Sequence, residues 1–196
     1  MNKILSTVLG IMLFVAIGSA QTGSWKLDKA HSQVTFSVTH MVISEVTGVF
    51  KEFDITFSSD KEDLTDTKVE AIIKTKSIDT GNERRDNHVR SDEFLNAEKF
   101  PEMKFKSNKV EKTGQDTYKI TGDMTIRDVT KSVVLDTKYK GSIKDAMGNT
   151  RIAFKATTTI DRFEFGTTWN KAIETGGLVA GKDIEVTLLM EFTKPK

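Results

Sequence analysis

Apolar residues recur with a period of two in eight separate segments of the chain. The first segment alternates through Val34, Phe36 and Val38, and the second begins at Phe53 and Ile55. The same pattern returns at 69–73, 103–105, 118–126, 133–139, 152–160 and 184–192. Strict alternation is typical of a strand with one face buried and the other in solvent. Each segment therefore predicts one half-buried strand.

Turn-forming residues separate most of these segments. Hairpin connections are expected at 58–60, 113–116, 127–128 and 147–149, so neighbouring strands should be antiparallel. Both prolines lie outside the strand interiors and break no hydrogen-bond ladder. The sequence therefore predicts an all-β fold, an eight-stranded antiparallel β-barrel with short helices in its connections. A barrel of that size either fills with side chains or holds one small ligand.

Two connections are too long to be hairpins, and long structured loops are commonly functional. In the connection 75–100, Glu83 follows Thr80 by three residues, the spacing of a capping box, which predicts a short helix with Thr80 as its N-cap. The connection 161–182 carries Phe163, Phe165, Trp169 and the pair Gly176-Gly177. These two loops are the best candidates for an entrance to the barrel.

The first twenty residues have the pattern of a secretory signal peptide. Lys3 gives a positive start, residues 4–17 are uncharged and mostly apolar, and residues 18–20 are small. A membrane anchor is the alternative, but spanning a bilayer takes about 20 apolar residues. We expect cleavage before Gln21, leaving one domain over 21–196 with no stable insertion in the membrane.

Composition narrows the class of protein. The chain has 196 residues, 29 Lys+Arg against 28 Asp+Glu, and no Cys. The missing cysteines exclude a disulfide framework, a thiolate zinc site and a cysteine nucleophile. Balanced charge argues against general attraction to nucleic acid or to an anionic membrane. Export without disulfides suits a bacterial periplasm, or secretion from a bacterium.

Catalytic and metal signatures are weak. His31 and His40 are nine residues apart, which would point them to opposite faces of one uninterrupted strand. Ser32 beside His31 lacks the G-x-S-x-G elbow of a serine hydrolase. We therefore predict no catalytic residues, no metal site and no cofactor.

A local cluster of cations on the expected helix has two interpretations. Arg84, Arg85, His88 and Arg90 are interspersed with carboxylates, and a mixed charge run is commonly a solvated helix face. Alternatively, one or two of these cations hold a polar or phosphorylated head group at the barrel opening, as arginine can bind phosphate in a bidentate way.

Many short motifs in this order resemble the YceI-like family of bacterial exported proteins. They include WKLD at 25–28, RDNHVRS at 85–91 and GDMTI at 122–126, with further matches at 30–32, 36–41, 48–50, 77–81, 94, 100–101, 129–131, 162, 165–166 and 184–186. The resemblance implies an extended, lipocalin-like eight-stranded barrel that holds a long polyisoprenoid chain, without catalytic residues. The family pattern often has Gly after Ile126, where this chain has Arg127-Asp128, so that turn is expected to differ in detail.

Together these observations predict an exported isoprenoid-lipid binding protein that carries, stores or sequesters the lipid in its barrel. The alternatives are a ligand-free barrel acting as an interaction module and an enzyme that modifies a lipid head group. A homodimer is compatible with the sequence. Of the twelve Phe, Phe14 lies in the predicted signal peptide; the other eleven can simply fill a core, or several can line a cavity around an apolar ligand. The candidate ligand-binding residues are Phe36, Val38, His40, Phe53, Ile55, Ile73, Arg85, His88, Phe94, Phe105, Ile120, Met124, Phe154, Phe165, Trp169 and Leu188.

Overall fold

The computed structural model describes residues 25–196, and the predicted signal peptide lies outside them. Within these residues, the fold has eleven strands and one α-helix. The strands are β1 (Lys26–Leu27), β2 (Gln33–His40), β3 (Ser44–Phe50), β4 (Phe53–Ser58), β5 (Lys68–Lys74), β6 (Ile78–Asp79), β7 (Glu102–Lys112), β8 (Thr117–Ile126), β9 (Val129–Lys144), β10 (Thr150–Asp161) and β11 (Ala180–Lys194), with α1 at Glu83–Arg90. Among the described residues, no helix is long and apolar enough to cross a bilayer.

One antiparallel sheet curls into a half-barrel. Its strand order is β4-β5-β7-β8-β9-β10-β11-β2-β3-β6, with β1 paired to β11. Strands β3 and β4 are consecutive in the chain, but β4 is the first strand of this order and β3 is the last but one, so Lys51 and Glu52 bring the two edges together. The Lys51 amide donates to Ser77 O at 3.0 Å and the Lys74 amide donates to Glu52 O at 2.8 Å. Within residues 25–196, no strand pair joins β4 to β3 or β6 across this seam.

All eight predicted strands are present, but the predicted count is too low because β1, β3 and β6 were missed. β1 and β6 have only two residues each, too few for a periodic signal. In β3, the inward position opposite Phe36 is Gly48, so the apolar alternation is interrupted. The Phe36 ring covers this glycine so closely that any Cβ on Gly48 would clash with it.

The helix begins later than the capping box predicts, so Thr80 as N-cap is wrong. The N-cap is Asn82, whose side-chain oxygen accepts from the Arg85 amide at 3.0 Å. Asn caps a helix at least as well as Thr does. Thr80 instead donates its hydroxyl to Asp86 Oδ1 at 2.6 Å, which fastens α1 to the segment before it.

Rings and an ion network stabilise the barrel end farthest from α1. Phe57 stacks on Phe192 at 5.0 Å between ring centroids. Arg151 Nη1 donates to Asp28 at 2.8 Å and to Glu191 at 2.6 Å. Hydrogen bonds from His31 and then from Arg151 lower the pKa of Asp28 to about 2. This end is thereby held by both packing and charge.

Candidate functional site

Two adjoining cavities lie within the curled sheet. The helix-side cavity, of about 270 Å³, is lined by residues of α1, β2, β3, β11 and the long loops. The distal cavity, of about 90 Å³, is lined by strands on the side away from α1. Ile73, Met124 and Val186 line both cavities. The two spaces therefore meet at these three side chains.

Strand β11 shows how long the combined space is. Ile184 and Val186 line the helix-side cavity, whereas Leu188, Met190 and Phe192 line the distal one. From Ile184 to Phe192 the strand advances by about 26 Å at about 3.3 Å per residue. The interior is therefore long and narrow, a shape that suits an extended chain better than a compact molecule.

The distal cavity is lined by apolar surface and carries no ionisable acid or base of the Asp, Glu, Lys, Arg or His type. Its polar side chains are Thr67, Thr137, Thr158 and Tyr118. The Tyr118 hydroxyl donates to Asp63 O at 3.1 Å. Because the Tyr118 hydroxyl already donates to this protein carbonyl, it is not free to donate a hydrogen bond to a polar group of a ligand in the distal cavity.

The helix-side cavity differs in having cations at its wall. Arg85, Arg162, His40 and His88 all line it, and no Asp or Glu is among its lining residues. Its remaining lining residues are mostly aliphatic and aromatic. The combined space is thus apolar along its length and basic at one end only.

Local contacts hold the two α1 side chains in place. Arg85 Nε donates to Thr80 Oγ1 at 2.7 Å, and its Nη2 donates to Thr80 O at 2.9 Å. His88 Nε2 pairs with Glu93 at 2.7 Å, and its ring lies edge-on to Phe94 and Trp169 at 5.0 and 5.5 Å. Both side chains are positioned before any ligand arrives.

Arg162 is the functional candidate that sequence reasoning missed. Its side chain is 5% exposed, and burial lowers its pKa. The guanidinium donates to the carbonyls of Gly181, Trp169 and Ala180 at 2.8, 2.7 and 3.0 Å and to Thr167 Oγ1 at 3.2 Å. All of these acceptors are neutral. The nearby Asp161 carboxylate pairs with Lys182 at 3.0 Å, so it makes no ion pair with the Arg162 guanidinium.

The structure places fifteen of the sixteen candidate residues on the cavity walls. The helix-side cavity is lined by Phe36, Val38, His40, Ile73, Arg85, His88, Phe94, Met124, Phe165 and Trp169, and the distal cavity by Ile55, Phe105, Ile120, Phe154 and Leu188, with Ile73 and Met124 shared. Phe53 is the exception, since it packs against the core outside both linings. It starts β4 at the seam, where its side chain covers the core edge.

Two other cations of the cluster have different surroundings. Arg84 is exposed and lines neither cavity. Arg90 donates to Lys76 O at 3.0 Å and to Ile78 O at 2.7 Å. Arg90 therefore ties α1 to the segment before it, and the cluster does not act as one binding group.

Residues near the N-terminal end make structural contacts instead of a nucleophile pair. Ser32 Oγ accepts from the Glu191 amide at 3.0 Å, whereas His31 Nδ1 pairs with Asp28 at 3.0 Å. Asp28, His31 and Glu191 bring potential metal-ligand atoms within 4.8 Å of one another. Arg151 already bridges the two carboxylates and supplies the positive charge there.

Comparison with known proteins gives consistent matches over the described part of the chain. The family model of the YceI-like domain matches residues 25–192. A UPF0312 protein of Pectobacterium atrosepticum is 36% identical over 198 residues and is covered completely, as is this chain. A UPF0312 protein of Staphylococcus epidermidis is 35% identical over 170 residues, which cover 86% of this chain and 96% of the relative.

Solved structures show the same fold. The Campylobacter jejuni YceI protein has a TM-score of 0.70 at 33% identity, covering 87% of this chain and 98% of its own. Burkholderia cenocepacia BcnA has a TM-score of 0.74 at 18% identity, covering 85% and 99%. A domain from Saccharophagus degradans, described as polyisoprenoid binding and implicated in plant cell wall breakdown, has a TM-score of 0.64 at 12% identity, covering 88% and 99%. At these identities the last two show likeness of fold alone.

Proposed function

Because the chain belongs to the YceI-like family, we propose that it is an exported protein that binds the chain of an isoprenoid lipid in its two adjoining cavities. The observation that carries the proposal is the long apolar interior with cations at one end only. The polyisoprenoid-binding domain of similar fold gives further support. Binding without chemical conversion fits a helix-side cavity whose lining contains no carboxylate, serine or lysine.

Burial of the hydrocarbon supplies the binding energy. Each CH₂ removed from water contributes about 0.8 kcal/mol, so a five-carbon isoprene unit gains roughly 4 kcal/mol before ordering costs are subtracted. A few units are enough for tight binding. The length and width of the interior, more than any single contact, then decide which chains fit.

The charge distribution sets the orientation of the lipid. The apolar tail extends into the distal cavity, and the head group stays in the helix-side cavity near Arg85, His88 and Arg162. A head group that offers hydrogen-bond acceptors or negative charge is favoured there, since charge-assisted hydrogen bonds are strong where water is scarce. A ligand-free interaction module would need no such open interior, and an enzyme would need a free nucleophile or base beside the head group.

Extraction of the purified protein tests the proposal directly. Organic solvent should release an isoprenoid lipid, unchanged by prolonged incubation, that mass spectrometry identifies. The same spectrometer tests export, because intact mass should show an N-terminus at Gln21 on protein that is soluble without detergent. A protein that neither retains nor takes up any isoprenoid would contradict the proposal, and conversion of the lipid would favour the enzyme.

Two neighbouring arginines on α1 test the orientation. Arg85→Ala should weaken binding of a prenyl phosphate by about 1.5–3 kcal/mol, the value of a hydrogen bond to a charged group, while a neutral prenol of equal length loses little. Arg84→Ala is the matched control, because Arg84 is exposed and lines neither cavity. Titration calorimetry measures both. Equal losses for phosphate and prenol would remove the head-group role from Arg85 and leave the apolar site intact.

A further inference from the structure

The connection between β2 and β3 consists of three apolar residues, Met41-Val42-Ile43, called here the hairpin tip. We propose that the hairpin tip docks the protein onto a lipid bilayer while the isoprenoid enters or leaves. This inference rests on the proposed function, because it concerns how that same ligand reaches the helix-side cavity.

The hairpin tip exposes an unusual amount of apolar surface. Met41 is 45% exposed, Val42 59% and Ile43 90%. Single exposed apolar residues are normal on a protein surface. Three in succession at a loop lower the solubility of the protein, and such a run is therefore a mark of a binding surface. A turn in this position could be built entirely from polar residues.

The hairpin tip adjoins the helix-side cavity. It begins directly after His40, which lines that cavity together with Val179. The Met41 amide donates to Val179 O at 2.9 Å, and His40 Nδ1 contacts the same oxygen at 2.9 Å. A bilayer in contact with the tip would therefore lie close to the rim of the cavity.

Backbone conformation and packing hold the tip in this exposed position. Met41 and Val42 have φ of 50° and 68°, in the left-handed region that a β-branched residue avoids and that hairpin turns usually fill with Asn or Gly. A Cβ on Gly177 would lie 2.6 Å from Val42 Cγ2, so the valine rests directly on the backbone of the neighbouring loop. The unfavourable left-handed backbone of Met41 and Val42 is thus kept at a place where it holds apolar side chains in solvent.

A bilayer fits this surface better than a protein partner does. Three side chains offer far less than the roughly 800 Å² per partner of a stable protein interface, whereas a bilayer needs only a small apolar wedge and no matching shape. Release into bulk water would expose the whole hydrocarbon chain, and contact with a bilayer avoids that exposure. Lys171 and Glu174, of opposite charge, lie on the neighbouring loop, so docking depends on apolar insertion and not on anionic lipid.

Vesicle transfer tests the proposal. The full protein is mixed with phosphatidylcholine vesicles containing a long-chain polyprenol, and both vesicle flotation and polyprenol transfer to acceptor vesicles are measured. Ile43→Asp should lower the bound fraction and the transfer rate by about tenfold, because insertion of one large aliphatic side chain is lost. Met147→Asp is the matched control, since Met147 is 85% exposed on the β9–β10 hairpin at the other end of the barrel, and it should change neither quantity.

A second measurement separates this proposal from the proposed function. Polyprenol solubilised in detergent should bind Ile43→Asp and the unmodified protein equally. If the unmodified protein does not bind solubilised polyprenol, the proposed function fails. If it binds but Ile43→Asp transfers polyprenol at the unmodified rate, or Met147→Asp is the slower variant, docking by the hairpin tip is refuted. If Ile43→Asp loses a protein partner of the unmodified protein but transfers polyprenol between vesicles at the unmodified rate, docking of the hairpin tip onto a bilayer is also refuted.

Discussion

The junction between the two cavities allows the binding space to be shortened at a known point. Val186 is half-buried, lines both cavities and lies opposite Phe36 on β2 and Thr158 on β10. Val186→Trp should fill the junction with an indole ring while leaving the helix-side cavity open. Overpacking a filled core costs about 1–3 kcal/mol, but here the ring enters existing space. The variant should therefore fold.

The expected loss follows from the volume of the distal cavity, which is about 90 Å³. A cavity of about 150 Å³ holds the six carbons of benzene, so the distal cavity takes at most about one five-carbon isoprene unit unless its walls move. One unit contributes roughly 4 kcal/mol gross, of which we expect about 1.4 kcal/mol to remain after ordering costs. That difference is about tenfold in Kd.

Affinity against chain length is the decisive assay. With polyprenols of increasing length, the Kd of the unmodified protein should keep falling, whereas the Kd of Val186→Trp should stop falling once the helix-side cavity is full. Leu189→Trp, at a 39% exposed position on the outer face of the same strand, should behave like the unmodified protein. If a folded Val186→Trp binds long chains with undiminished affinity, the lipid does not cross the junction.

Three further changes probe the interior, the ion network and the sheet. Phe154→Asp should abolish lipid uptake by placing a charge in the distal cavity, whereas Lys155→Ala on the exposed face should leave uptake intact. Binding of a fluorescent lipid to both folded variants measures this. Equal binding would mean that Phe154 does not face the lipid. The pKa of Asp28, about 2 against an ordinary 3.8, means that its ionised form stabilises the fold above about pH 4 and that this contribution is lost as pH falls toward 2. Asp28→Asn should therefore flatten the fall in urea-unfolding free energy over that range, and an unchanged slope would contradict the assignment. Gly122→Ala should lower the unfolding free energy by about 1–3 kcal/mol in thermal melts, because its Cβ would lie 2.5 Å from both the Lys106 carbonyl oxygen and the Phe105 ring. An unchanged melting temperature would contradict this clash.

The strands that sequence reasoning found are those that keep a period-two signal, either because no inward position interrupts it or because the strand is long. Strand β10 keeps it from Ile152 to Ile160 although the inward Thr158 is polar, and β8 keeps it although its inward Gly122 lies under the Phe105 ring. Strand β3 has only seven residues, and its inward Gly48, covered by a ring from the neighbouring strand, interrupts the pattern at its centre. That compensation is a cross-strand contact, which a local pattern does not contain.

The site was predictable where a residue's direction follows from its element. Arg85 and His88 were identified on a predicted helix, and both line the helix-side cavity. Arg162 was missed because its burial arises from the backbone carbonyls of residues up to nineteen positions later. Phe53 was included by its period-two spacing, yet its position at the seam directs it to the core edge. The period-two pattern of a single segment does not predict the position of a side chain that is set by a distant loop or by the edge of the sheet.

The unpaired seam between β4 and the β3–β6 edge affects the circumference of the half-barrel. In a fully closed barrel, the number and stagger of hydrogen-bonded strands fix the radius. Here the described strands leave the circumference interrupted where Lys51 and Glu52 join the two edges, so the edges can separate slightly without breaking any strand pair. An isoprenoid chain varies in thickness wherever a methyl branch occurs, and an interrupted circumference can widen and narrow to follow those branches.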